Sequence, residues 1–244
     1  MFRKCLRWMW LHRKFSFCLL LAAVLVALNI VAYNHAYSMT HFREGGSRTA
    51  SPETLPFFAK AQVVLLGVNI PRPCNHADPS SQGLTFETLQ FQGKDGVSLE
   101  AWHLANSSAK GLVLLLHGYA ACKASLLSEA SAFHDLGYAV VLLDLRGSGG
   151  SAGNETTIGV YEAEDVAAVV ESLRKKHPDQ PLILYGQSMG SVAILRAIAE
   201  NGVQPEAVVV ECPFDRLLST VENRFSAIGL PAFPCAHLLV FWGG

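Results

Sequence analysis

Apolar positions recur along this chain in two ways, one continuous run near the start and a series of short runs further on. From Phe15 to Tyr33 the sequence FSFCLLLAAVLVALNIVAY carries no charged side chain. That is close to the roughly 20 residues a helix needs to cross a bilayer. From Leu84 onward the runs are of strand length and alternate with segments of helical spacing. Leu84–Gln92 and Val97–Leu104 read as two strands around Gly93-Lys94-Asp95-Gly96, a hairpin signal. GLVLLLH (Gly111–His117) and YAVVLLDL (Tyr138–Leu145) read as central strands covered on both faces. Lys123–Leu136 places Leu126, Leu127, Ala130 and Phe133 at helical spacing, with Gly137 as its C-terminal cap. Tyr161–His177 is the clearest helix. Glu162, Glu164 and Asp165 crowd its start, Arg174, Lys175, Lys176 and His177 its end, and Pro178 stops it. A strand from Pro181, a helix to about Asn201 and a strand Ala207–Glu211 follow. The alternation predicts an α/β fold, a mostly parallel sheet with helices on both faces, preceded by an N-terminal transmembrane helix.

The basic residues orient the membrane segment. Arg3, Lys4, Arg7, Arg13 and Lys14 precede it, and no acidic residue occurs before Glu44. Residues 1–14 are therefore expected in the cytoplasm, 15–33 in the membrane and everything after Tyr33 outside the cytoplasm. Trp8 and Trp10 fit the cytoplasmic headgroup level, Tyr33 and Tyr37 the opposite one. A cleaved signal peptide has a similar start. The length of the run and the poor small-residue cleavage sites, of which Ala36-Tyr37-Ser38 is the best, favour an uncleaved anchor. Residues 34–83 form a connector rich in proline and glycine, with a short amphipathic helix expected over Glu53–Leu66. The connector is expected to run along the domain surface, because Val63–Ile70 is too apolar to stay solvated. Residues 84–244 form the α/β domain.

Composition adds little beyond this. A net charge of −1 over 244 residues gives no global field that favours nucleic acid. Of six cysteines, Cys5 and Cys18 belong to the anchor region. The other four, Cys74, Cys122, Cys212 and Cys235, allow three pairings, and their spacing selects none. No CxxC or His/Cys cluster occurs, so neither a metal nor a cofactor is expected.

The candidate chemistry sits at Gly186-Gln187-Ser188-Met189-Gly190, between the apolar run Pro181–Tyr185 and the helical segment Ser191–Ile198. A serine on a sharp strand-to-helix turn is exposed as a nucleophile, and flanking glycines let strand and helix approach closely. Three further motifs stand in order around it, His117-Gly118-Tyr119 and Asp144-Leu145-Arg146-Gly147-Ser148-Gly149 before it and Glu211-Cys212-Pro213-Phe214 after it. From Leu84 to about Asp215 the chain resembles the α/β-hydrolase superfamily, in the branch similar to serine aminopeptidases and membrane-associated bacterial hydrolases. The resemblance implies that Ser188 attacks an acyl carbonyl and that the backbone N–H groups of Met189 and Tyr119 hold the oxyanion. It implies a supporting role for His117 in the oxyanion turn, since the family's base follows the nucleophile in sequence, and a structural role for Asp144 and Arg146. It implies no cofactor.

The family's acid and histidine follow later strands, and after Phe214 only a helix-like stretch, Arg216–Phe225, and an apolar end, Ile228–Gly244, remain. Asp215 is the stand-in acid, at a position from which some lipases supply theirs, and His237, the only histidine beyond Ser188, the stand-in base. The chain is thus expected to be a fragment or an inactive relative. Three functions stay open: a membrane-anchored hydrolase of an ester, thioester or amide, with a small-molecule or peptide acyl substrate; an acyltransferase using the same acyl-enzyme; and a non-catalytic binding protein that keeps the fold. Neither the substrate nor the oligomeric state is set by the sequence.

Overall fold

The computed structural model describes residues 2–50, 55–56, 58–59, 62–63, 67–227, 229 and 231–243. The short helix expected over Glu53–Leu66 lies mostly outside them. The chain divides into two compact bodies. One comprises Met1–Ser38, Ala50–Val68 and Val221–Gly244, the other Met39–Thr49 and Asn69–Thr220.

The first body is built on α1 (Phe2–Thr40), which runs past the apolar segment at both ends. Among the described residues it is the one helix long and apolar enough to cross a membrane, spanning His12–Thr40 with a mean hydropathy of 2.6 in its 18-residue apolar window. Later residues of the same body pack on it. Trp242 donates its indole N–H to Asn29 Oδ1 at 3.3 Å and stands edge-on to Tyr33, with ring centres 5.4 Å apart.

The second body is a six-stranded sheet formed by β1 (Glu87–Gln92), β2 (Ser98–Leu104), β3 (Leu112–Leu116), β4 (Ala139–Leu143), β5 (Leu182–Gln187) and β6 (Ala207–Glu211). Their spatial order is β1-β2-β4-β3-β5-β6. The hairpin β1–β2 and the pair β2–β4 are antiparallel, and all later pairs are parallel. The helices between strands are α2 (Leu127–Asp135), α3 (Val160–Lys176) and α4 (Met189–Asn201), followed by α5 (Leu217–Ala227) and, in the first body, α6 (Cys235–Gly243).

The layers follow from the two-residue period of a strand. Leu112, Leu114 and Leu116 face one way, into a core with Val166, Val169 and Leu173 of α3 and Ala193, Ile194 and Ala197 of α4. Val113 and Leu115 face the other way, against Trp102, Leu126, Leu127 and Ala130. The sheet is thus covered on both faces over β3 and β4, as their unbroken apolar sequences predict.

The start of α3 carries a second device. Glu162 is fully buried, and its carboxylate accepts from the Thr156 and Thr157 hydroxyls, both at 2.7 Å, and from the backbone N–H groups of Thr157 (3.0 Å) and Gly159 (2.9 Å). A carboxylate at the positive end of a helix, with every contact a donor, fixes the loop that leads into α3.

Candidate active site

β5 ends at Gln187, α4 begins at Met189, and the single residue between them, Ser188, has φ 51° and ψ −111°. A non-glycine side chain in that region is strained, and it persists only where surrounding contacts over-determine it. Those contacts are present. Ser188 N–H donates to Glu211 O at the end of β6 (2.8 Å), and Val192 N–H donates to Ser188 O (3.1 Å). Ser191, buried one position after Gly190, donates its hydroxyl to Gly186 O at 2.6 Å and accepts from Glu211 N–H at 3.2 Å. The turn is tight enough that a methyl on Gly186 would lie 2.6 Å from the Gly190 carbonyl carbon. One on Gly190 would meet the carbonyl oxygens of Leu116 and His117, the latter at 2.8 Å.

The turn after β3 lies beside the serine. A methyl on Gly118 would fall 3.5 Å from Ser188 Cβ and 3.4 Å from Gln187 O, so this turn passes close to the serine. The Met189 N–H heads α4, where the first N–H groups have no acceptor within the helix. Tyr119 itself is held by its phenol, which donates to Met39 O at 2.5 Å and which burial pushes up to about 12.

His117 is fully buried. Its Nε2 accepts from Leu145 N–H at 3.1 Å, and its Nδ1 lies 2.8 Å from Gly118 O. A backbone N–H can only donate and a carbonyl only accept, so the ring is neutral with its proton on Nδ1. Burial holds its pKa below the ordinary histidine value. Both ring nitrogens are committed to the backbone, one of them to the oxyanion turn itself.

The same turn rests on a buried ionic cluster. Lys123 is fully buried and its ammonium contacts Asp144 Oδ2 and, at 2.8 Å, Glu100 Oε1, with the Trp102 ring centre 4.4 Å away. Asp144 also accepts from the Lys123 N–H (2.7 Å), the Asn75 amide (2.8 Å) and the Gly150 N–H (2.8 Å). Arg146 pairs with Asp165 through two bonds of 2.6 and 2.7 Å. Asp144 and Arg146 are thus occupied in holding turns together. Lys123, Glu100 and Ser191 are the members that sequence reasoning did not single out. The available signal was weak, since a lysine after a cysteine and a serine among apolar helix residues look like surface positions.

The structure sets Gly118, the residue before Tyr119, close to Ser188, and Met189 follows Ser188 at the head of α4. Asp215 lies exposed in the bend after β6 and makes no hydrogen bond or ion pair among the described residues. His237 belongs to α6 of the first body, its ring edge-on to Phe233 with centres 5.5 Å apart. Among the described residues no three His, Cys, Asp or Glu side chains converge as metal ligands.

Comparison with known proteins identifies a family. Residues 107–232 match the family described as serine aminopeptidase, S33. The uncharacterized protein YqkD of Bacillus subtilis is 30% identical over 150 residues, 60% of this chain and 49% of that protein. The lysophosphatidylserine lipase ABHD12 of Mus musculus is 25% identical over 207 residues, 71% of this chain and 52% of that protein. The chain thus spans about half the length of these relatives. Among solved structures, a Pyrococcus furiosus esterase superposes with a TM-score of 0.60 at 25% identity, covering 70% of this chain and 68% of the esterase.

Proposed function

Because the chain belongs to the serine aminopeptidase family of α/β hydrolases, we propose that it is a membrane-anchored serine hydrolase that cleaves a small acyl substrate through an acyl-enzyme on Ser188. One observation carries this reading. Ser188 stands in a strained turn at the head of a helix, with Gly118 close to its Cβ. A carbonyl carbon placed over the hydroxyl has the Met189 and Tyr119 N–H groups beside its oxygen. Serine attack gives a tetrahedral oxyanion held by those two donors, loss of the alcohol, thiol or amine gives the acyl-enzyme, and water then releases the acid. Preorganised donors of this kind are each worth about a hundredfold or more in rate.

Serine at its ordinary pKa is a weak nucleophile and needs a base. His117 is committed elsewhere, so the base for Ser188 has to come from another residue. An ester is the favoured linkage, since the relatives include a lysophosphatidylserine lipase and an esterase. An amphiphilic ester suits a hydrolase tethered by α1, and the basic residues before its apolar run support a hydrolase body outside the cytoplasm.

A fluorophosphonate probe tests the chemistry. It is expected to label the folded protein on Ser188, and Ser188→Ala abolishes labelling. Folded protein that stays unlabelled refutes the enzyme reading and favours a binding protein with a hydrolase fold. Alkaline-phosphatase fusions after Thr40 test the topology. Active fusions are expected, and inactive ones place the body in the cytoplasm.

A further inference from the structure

Two cysteines far apart in sequence are held side by side next to the oxyanion turn. The segment 71–76 runs along that turn and is pinned at several points. Pro73 O accepts from Gly149 N–H at 2.9 Å, and the Arg72 guanidinium donates to Ser151 O at 2.5 Å and Gly153 O at 3.0 Å. Asn75 donates to Asp144 Oδ2 at 2.8 Å and accepts from Ala124 N–H at 3.2 Å. Cys74 sits between the pinned residues Pro73 and Asn75. Opposite it, Cys122 precedes Lys123, whose N–H is bound to Asp144 at 2.7 Å. None of these bonds involves sulfur, yet they set the Cys122 S–H against Cys74 O at 3.2 Å across a separation of 48 residues. The Cys74 thiol makes only a weak contact with Arg72 O at 3.4 Å, which rotation about χ1 releases.

We propose that Cys74 and Cys122 join as a disulfide that fastens the segment 71–76 to the turn bearing Tyr119. Of the three pairings that four cysteines allow, the geometry points to the one containing this bond. The oxidant is a low-molecular-weight disulfide such as oxidised glutathione, as found in an oxidising compartment. Cys74 is exposed and Cys122 buried, which sets the order of events. The Cys74 thiolate attacks one sulfur of the small disulfide and releases one thiolate, forming a mixed disulfide. Cys122 then loses its proton to solvent, attacks the Cys74 sulfur and releases the second thiolate. Two protein thiols lose two electrons and two protons, and the small disulfide becomes two thiols. Burial pushes the Cys122 thiol up and lowers its thiolate fraction, so it is not the group that attacks the small disulfide first.

The test uses the full chain in detergent micelles, equilibrated with oxidised glutathione, alkylated and digested without reductant. The expected product is a linked peptide pair containing Cys74 and Cys122, lost on treatment with dithiothreitol. In Cys74→Ser the Cys122 thiol stays free to alkylate once unfolded, and in Cys122→Ser the Cys74 thiol alkylates directly. Closing a loop of this length raises the thermal midpoint of the oxidised protein by roughly 5–10 °C over the reduced one, a shift that Cys74→Ser lacks. Position 74 is exposed, so this variant retains the fold, as circular dichroism checks. Both thiols still alkylated after oxidation, either one linked elsewhere, or a linked pair with no change in midpoint overturns the proposal. These readouts are covalent and thermal, so they stand apart from any activity of Ser188.

Discussion

β5 has a parallel neighbour on each side, and the two meet it at the same residue. Leu114 of β3 and Val208 of β6 both register with Leu184. Their sequences, LVLLL and AVVVE, are of one kind. β3 is buried at every position, whereas β6 is exposed at every position, with Val208, Val209 and Val210 at 37–41%. A short apolar run therefore specifies a strand, but what covers that strand is decided by layers that come from elsewhere in the chain. The candidate site straddles this divide. On the β3 side of Ser188 stands a turn locked by His117 and the Lys123–Asp144 cluster. On the β6 side stands Asp215, exposed and unpaired among the described residues.

The largest way to break this contrast is Lys123→Met. Removing one partner of a buried ionic cluster leaves Asp144 and Glu100 facing each other without their cation, at a cost of about 3–5 kcal/mol. On the β6 side, Asp215→Asn is expected to change stability by less than about 0.5 kcal/mol, as exposed substitutions do. Urea denaturation measures both. A Lys123→Met cost near that of Asp215→Asn would mean that the cluster does not anchor the turn.

The two strands allow a closer comparison. Leu114→Ala empties a fully buried site and is expected to cost about 2–5 kcal/mol. Val209→Ala removes a side chain that is 41% exposed and is expected to cost under about 1 kcal/mol. Equal losses in urea midpoint would show that β6 is covered in solution as thoroughly as β3.

The same contrast explains what the sequence disclosed. Unbroken runs such as GLVLLLH and YAVVLLDL mark strands because β-branched and aliphatic residues pack on both faces, and β3 and β4 lie within those limits. The elbow was legible because its requirements are local, a serine with φ above zero between glycines that leave no room for a methyl. Lys123 was not legible. Its acceptors Glu100 and Asp144 lie 23 and 21 residues away, and only the pairing of β2 with β4 brings them together. Nor does sequence say that the residues after Tyr33 continue α1 to Thr40, or that residues 39–49 join the sheet-containing body. The second depends on contacts such as Phe42 N–H to Asn154 O at 2.7 Å.

The smallest effect is a titration, and it tests how firmly the β3 side is locked. His117 has no acceptor position free, because Leu145 N–H already points at Nε2. Protonation there would break that bond and bury a charge, so the folded pKa lies below the unfolded value of 6.5, chiefly through burial. Above that value both states are neutral and the ring contributes no pH dependence. Below it the unfolded chain binds a proton that the folded one refuses, so stability falls as the pH drops through 6.5 toward the folded pKa, by at most about 1.4 kcal/mol per pH unit. His177, also depressed mainly by burial, acts in the same direction, so the effect of His117 is read as a difference. Between pH 7.5 and 5.5, titrated by urea denaturation, the wild-type protein is expected to lose more stability than His117→Gln, which has nothing to protonate. Equal slopes would mean that the ring charges freely in the folded state. The Leu145 N–H would then not be holding Nε2, and the oxyanion turn would be no better anchored than the bend that carries Asp215.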